Sequence, residues 1–194
     1  MRASAWTCAS GASLIYNLFN LIIDTVATLL AALLLLRFWM QAVRVRPPFS
    51  LGQFIFRLTD WLVLPLRRVM PGWGGLDWSS LLAVILVALL SMAIELGVRS
   101  AFNGETWIAL SLLTLIHWVV YGFIGLIVIE VIFSWVNPDA PLAPLVRALN
   151  EPLMRPLRRL IPPIAGVDLS PIVAFLLLRI ILFAADNLLL HLIV

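Results

Sequence analysis

Ionisable side chains interrupt the long apolar runs of the sequence, among them Asp24, Glu95, His117, Glu130, Arg179 and Asp186. If these runs cross a bilayer, each such group near mid-depth costs about 3 kcal/mol or more on insertion scales, so it needs a partner, water or a path to the interface. Glu95 lies 18 residues past Asp77, about 27 Å at helical rise, which brings it to the far interface, and Asp186 stands in the matching place. Arg179 lies 11 residues past Asp168, about 16 Å in, and must find a counter-charge. The expected chemistry is a structural ion pair between helices, with Asp24 or Glu130 answering Arg179. A proton or ion path is the weaker reading. His117 and His191 lack partners at metal- or haem-ligand spacing, and no nucleophile–base arrangement or glycine-rich phosphate loop is present, so neither cofactor nor catalytic residue is assigned.

A second group of residues recurs. Leu64-Pro65-Leu66-Arg67-Arg68-Val69-Met70-Pro71 aligns with Arg155-Pro156-Leu157-Arg158-Arg159-Leu160-Ile161-Pro162 at an offset of 91. The register holds on both sides: Asp60 meets Glu151, Gly75 meets Gly166, Asp77 meets Asp168, Ser79 meets Ser170, and Glu95 meets Asp186. With a two-residue adjustment Arg37 meets Glu130 and Asp24 meets His117. The paired guanidinium groups suit bidentate contact with phosphate, at about 1 kcal/mol per basic residue near anionic lipid. Pro65, Arg67, Arg68, Pro71, Pro156, Arg158, Arg159 and Pro162 therefore form a candidate motif for binding phospholipid headgroups or a partner. The competing reading is that the arginines only set topology. Asp77, Ser79, Asp168 and Ser170 read as helix N-terminal caps, because a helix start leaves backbone N–H groups that Asp or Ser oxygen accepts.

The elements that must hold these residues follow from composition. Of 194 residues, 63% are hydrophobic and 12% charged, against about 45–50% and about 25% in soluble domains. A free-standing soluble domain, a disordered chain and a disulfide scaffold are excluded, the last because Cys8 stands alone. Four runs reach the roughly 20 residues a bilayer requires: about 14–37, 79–98, 108–135 and 171–194. Helix is the required state, since four isolated runs cannot close a barrel. The sequence thus predicts an all-α polytopic membrane protein of four transmembrane helices in two tandem parallel hairpin repeats. It divides into an N-terminal tail 1–13, a first repeat 14–98, an external loop 99–107 and a second repeat 108–194.

All 13 basic residues are arginine, and nine fall in the two long connections. By the positive-inside rule those connections are cytoplasmic and both termini outside. A net charge of +3 in this pattern marks topology, and nucleic-acid binding is not expected without a recognition module. All 12 prolines lie in the connections or at their edges, which predicts segments kept out of long regular helix. Within them Phe49 to Leu64 shows the spacing of a short amphipathic surface helix, and Pro144 to Asn150 a weaker copy. The expected partners are the bilayer, anionic headgroups, and another membrane protein or a second copy of the chain. The run after Cys8 is too long for a signal peptide and is expected to be retained, although a misassigned start codon would explain the odd first dozen residues.

The duplicated Pro-Leu-Arg-Arg…Gly-x-Asp-x-Ser segments, with Asn150-Glu151-Pro152 and Ser134-Trp135 upstream, resemble the YggT family of small integral membrane proteins. The first copy departs from the pattern, with Arg37-Phe38-Trp39 and Asp60-Trp61 at the matching places. The resemblance implies a multi-spanning protein of a bacterial inner membrane. The family's suggested roles are osmotic-stress tolerance and ion homeostasis, cell division, and cofactor assembly. The duplicated basic loops favour a non-enzymatic scaffold or assembly factor, and the charges Asp24, Glu130, Arg179 and Asp186 within the spans make ion or solute transport the alternative. The resemblance brings no catalytic residues.

Overall fold

The computed structural model describes residues 3–70, 75–98, 102–161 and 168–193. It contains six helices: α1 (Ala3–Ala42), α2 (Phe49–Val69), α3 (Trp78–Val98), α4 (Gly104–Val136), α5 (Ala143–Leu160) and α6 (Ser170–Ile193). Four stretches are long and apolar enough to span a bilayer: Leu14–Ala42, Trp78–Val98, Gly104–Val136 and Ser170–Leu189. They correspond to the four expected runs. The two long connections hold α2 and α5, both amphipathic. Pro71, Pro162 and the termini Met1, Arg2 and Val194 lie outside the described residues.

Each half pairs a first span with a second and lays a shorter helix against both. α1 packs on α3 and α2 on both; likewise α4 packs on α6 and α5 on both. The halves meet chiefly where α3 packs on α4, with a smaller contact between α1 and α4. In the first half the contact is lined by small residues. Ala27 and Ala31 of α1 and Ala83 and Ala88 of α3 are buried together with Leu34, Val63 of α2 and Trp118 of α4. Small side chains let helix backbones approach closely, which is what gains packing energy where lipid tails are as apolar as the protein. The second half uses larger residues: Val120, Ile127, Ala174, Leu178 and Leu182, with Met154 of α5 beneath them. A third cluster of Met40, Ile55, Leu145 and Leu149 joins α2 and α5 to the end of α1.

Two sequence expectations need correction. Pro65 lies within α2, and Pro152 and Pro156 within α5, so the Pro-Leu-Arg-Arg segments are helical where the prolines were expected to keep them irregular. An interior proline costs roughly 3 kcal/mol through a lost hydrogen bond and a clash. Here that cost is met by docking: Ile55, Thr59 and Val63 of α2 and Leu149, Asn150 and Met154 of α5 are all buried against the spans. The second correction concerns α1, which extends from Ala3, so the described part of the expected tail is helix continuous with the first span.

Candidate functional site

The functional candidates gather at one end of the bundle, where α2 and α5 meet the ends of the spans. In the first half the hub is Arg37, near the end of α1. Its Nη1 donates to Thr59 Oγ1 at 2.8 Å and to Asp60 Oδ1 at 2.7 Å, and its Nε donates to Asp77 Oδ2 at 3.3 Å. Arg67 Nη2 and Ser80 Oγ also donate to Asp77 Oδ2, at 2.9 and 2.8 Å. The Arg37 guanidinium lies 4.8 Å over the Phe56 ring. Arg37 is only 4% exposed and the Asp77 side chain 1%, so this ion pair is out of water. Burial pushes the Asp77 carboxyl up, but the hydrogen bonds from Arg67 and Ser80 and the charges of Arg67 and Arg37 outweigh it and hold it below the usual carboxylate range.

In the second half the hub moves to Arg158 on α5. Its Nη2 donates to Glu130 Oε1 at 3.0 Å, its Nε to Asp168 Oδ2 at 2.9 Å, and its Nη1 to Glu151 Oε2 at 3.5 Å. Asn150, fully buried, donates from Nδ2 to Glu130 Oε2 at 2.7 Å and to the Leu126 carbonyl at 2.9 Å. Arg158 is 35% exposed and Asp168 40%. Burial lowers the Arg158 pKa, but its carboxylate partners outweigh this and raise it; at Asp168 burial raises the pKa, and Ser170 and Arg158 hold it below the usual range. Beside this hub an open cavity of about 320 Å³ is lined by Glu130, Ser134, Pro138, Arg147 and Arg158.

The two clusters use residues that match in register. Thr59 falls on Asn150, Asp60 on Glu151, Arg67 on Arg158 and Asp77 on Asp168 at the same offset of 91. One exchange reverses a charge: Arg37 in the first half stands where Glu130 stands in the second, while Thr59 falls on Asn150 and Ser80 on Pro171. The first cluster balances Arg37 and Arg67 against Asp60 and Asp77. The second sets Arg158 alone against Glu130, Glu151 and Asp168.

These positions revise several sequence-based assignments. Arg67 and Arg158, expected to contact headgroups, are bound to carboxylates of their own half. Arg68 and Arg159 are exposed and make no ion pair or hydrogen bond among the described residues, as do Arg44, Arg46, Arg57, Arg147 and Arg155. Asp168 Oδ1 does accept the Ser170 backbone N–H at 2.9 Å, a capping bond, whereas the Asp77 carboxylate is taken by arginines and by the Ser80 hydroxyl. Ser79 Oγ donates back to the Met70 carbonyl at 2.8 Å rather than capping α3, and Ser170 Oγ is buried without a partner among the described residues.

Within the spans, Glu130 is held by Arg158 and Asn150 and does not answer Arg179, correcting one half of the expected pairing. His117 Nε2 and Asp186 Oδ1 lie 3.1 Å apart, joining α4 to α6, with His117 stacked on Tyr121. Glu95 is half-buried and partnered. Asp24 and Arg179 are both exposed and form no ion pair among the described residues, which corrects the other half. The side chain of His191 lies outside what the structure describes. Thr59, Asn150 and the indole of Trp39, which donates to the Leu149 carbonyl at 2.9 Å, carry no assigned role in the sequence reading, where Asn150 and Trp39 enter only through the family pattern. The first two were within reach, since they match in register beside Asp60 and Glu151.

A family model described as CCB3/YggT matches the chain twice, over residues 16–98 and 109–189. The chain belongs to the CCB3/YggT family. An uncharacterized protein of Pseudomonas aeruginosa is 40% identical over 165 residues, covering 82% of this chain and 84% of that protein. The uncharacterized protein YggT of Escherichia coli K12 is 36% identical over 168 residues, covering 85% and 87%. A protein of Vibrio alginolyticus is 32% identical over 167 residues. No solved structure matches the chain.

Proposed function

We infer that this CCB3/YggT protein is a non-enzymatic membrane scaffold or assembly factor of the bacterial inner membrane. Its α2 and α5 lie along the cytoplasmic headgroup layer, presenting arginine to anionic phospholipid or to a membrane partner, and both termini face outward. The observation that carries this reading is the division of labour among the arginines. Arg37, Arg67 and Arg158 neutralise internal carboxylates, while Arg57, Arg68, Arg147, Arg155 and Arg159 stand exposed on the same two docked helices. The apolar residues Phe54, Trp61 and Leu64 are also exposed on α2, giving that helix the mixed basic and apolar face that binds at a bilayer surface, while α5 offers mainly arginine, with Leu160 at its end. A role in envelope and osmotic-stress homeostasis is compatible with such a scaffold.

The test is to replace Arg57, Arg68, Arg147, Arg155 and Arg159 together with Gln. The inserted protein should lose co-purifying anionic lipid or partner, while Arg67→Gln and Arg158→Gln should chiefly reduce stability. Unchanged recovery of lipid and partners by the five-fold variant sinks the reading. Ion or solute transport is the alternative. It is less favoured because Asp24 and Arg179 face outward from the bundle, where they do not line a shared interior path with the His117–Asp186 pair. Absence of flux from proteoliposomes of the purified protein would remove that alternative.

A further inference from the structure

Asp24 and Arg179 are the two intramembrane charges that the bundle leaves exposed and without an ion-pair partner among the described residues. Arg179 lies 11 residues beyond Asp168, about 16 Å along α6 from the charge cluster of its half. Asp24 lies 13 residues before Arg37, about 20 Å along α1 from the other cluster. Since both clusters sit at the same end of the bundle, the two charges lie within a few ångströms of the same depth, near the middle of a roughly 30 Å apolar core. Neither is close enough to a headgroup layer to reach it comfortably, and each is surrounded by exposed apolar side chains: Leu21 beside Asp24, Phe175 and Phe183 one turn either side of Arg179.

The two belong to opposite flanks. α1 packs on α2, α3 and α4, α6 packs on α4 and α5, and no substantial packing joins α1 to α6. The register between the halves says what is missing. Arg179 falls on Ala88 at the offset of 91, and Ala88 is fully buried in the cluster that includes Trp118 of α4. α3 packs on both α1 and α4, whereas among the described residues α6 packs on one span only, α4, and on α5.

We propose that a second copy of this chain completes both flanks: α6 of one copy packs on α1 of another, in parallel, with Arg179 of the first paired to Asp24 of the second. The contact is the between-chain counterpart of the α3–α4 contact within the chain. It removes a lone cation and a lone anion from lipid in one step, and like orientation in the membrane is what brings them to one depth. Being heterologous, the contact closes as a ring when its rotation permits.

The experiment is a charge exchange on the full chain, with association measured by sedimentation equilibrium in density-matched micelles and by native mass spectrometry from vesicles of mixed zwitterionic and anionic phospholipid. The wild-type chain should associate. Arg179→Asp and Asp24→Arg should each weaken association about tenfold or more, in line with polar contacts between membrane helices, and the double exchange should restore it to within about threefold of wild type. Should an exchanged chain fail to insert, Arg179→Leu and Asp24→Leu supply the test, since both insert readily. Each should weaken association about tenfold, and the double variant should be no weaker than either alone. A monomeric wild-type chain, single variants that associate as wild type does, or Leu losses that simply multiply would overturn the proposal. The outcome is independent of whether the exposed arginines of α2 and α5 bind lipid.

Discussion

The two halves of the molecule hold the same loop in different electrical settings. In the first, a cation at the end of α1 is sealed beneath α2 and the carboxylate of Asp77 is buried with it. In the second, the matching position on α4 is the anion Glu130, the cation has moved to α5, and the cluster remains one-third to one-half open at Arg158, Asp168 and Glu151. The consequence is a neutral cluster with a dry Arg37–Asp77 pair at its centre and Asp60 and Arg67 on its open rim, against a cluster with two excess negative charges in which only Glu130 is mostly buried, beside the cavity that Arg147 shares. A duplicated segment can thus keep its helices and its Arg–Asp pair, Arg67 with Asp77 and Arg158 with Asp168, while an exchange of Arg for Glu on the first span changes the net charge of the cluster.

The largest expected effect that tests this contrast is at the sealed hub. Arg37→Met takes one of two guanidinium groups from the buried Asp77, which keeps Arg67 and Ser80, and should destabilise the protein by about 3 kcal/mol in an unfolding titration with sodium dodecyl sulfate. Its counterpart, Glu130→Gln, keeps a hydrogen-bonding side chain for Asn150 and for the half-open Arg158 and should cost about 1–2 kcal/mol. If the two losses were equal, the distinction between a dry pair and an open one would collapse. Next comes Asp77→Asn, which weakens three donors aimed at a buried oxygen and should cost about 1.5–3 kcal/mol. Asp168→Asn should cost under about 1 kcal/mol, because the Asp168 pair is exposed enough to be screened. Calorimetric midpoints of the two variants would show the gap.

Acid should act in the same order. Both aspartates have folded pKa values below their unfolded value of about 3.9. Their contribution to stability is complete well above that value and is lost as pH falls through the folded pKa. Stability at these two sites should therefore be flat from pH 7 to about 5 and decline below about 4, and Asp77→Asn should flatten the decline more than Asp168→Asn. The smallest effect is expected at Gly52, where an added Cβ would lie 3.2 Å from Pro47 Cγ. The matching residue in α5 is Ala143, buried without difficulty. Gly52→Ala should change stability by less than about 1 kcal/mol, because a helix-propensity gain of about that size offsets the crowding.

Much of this architecture was legible in the sequence, because lipid imposes a simple rule: an apolar run of the right length must be helix. Span positions and the register between Asp77 and Asp168 followed from that rule and from self-alignment. The helicity of Pro65, Pro152 and Pro156 did not, because proline penalties are local whereas the docking of Val63 and Met154 that offsets them is tertiary. The roles of Arg67 and Arg158 were misjudged for a related reason. An arginine beside a membrane run looks the same in sequence whether it faces headgroups or a carboxylate ten residues along the chain. The Arg37–Glu130 equivalence was visible as a change of sign, yet only side-chain geometry shows that the sign change relocates the hub.

The indole of Trp39 bears on how the molecule comes apart. Its N–H reaches the Leu149 carbonyl, and its ring meets Phe123 edge-on at 4.9 Å, so one side chain of α1 is fastened to both α4 and α5. With Trp118 of α4 donating to Thr28 of α1 at 3.1 Å, the halves are stitched twice along the length of the first span. Pulled from its ends, such a chain yields as one cooperative unit, and extraction of α1 from the bilayer would carry the second half's anchorage away with it.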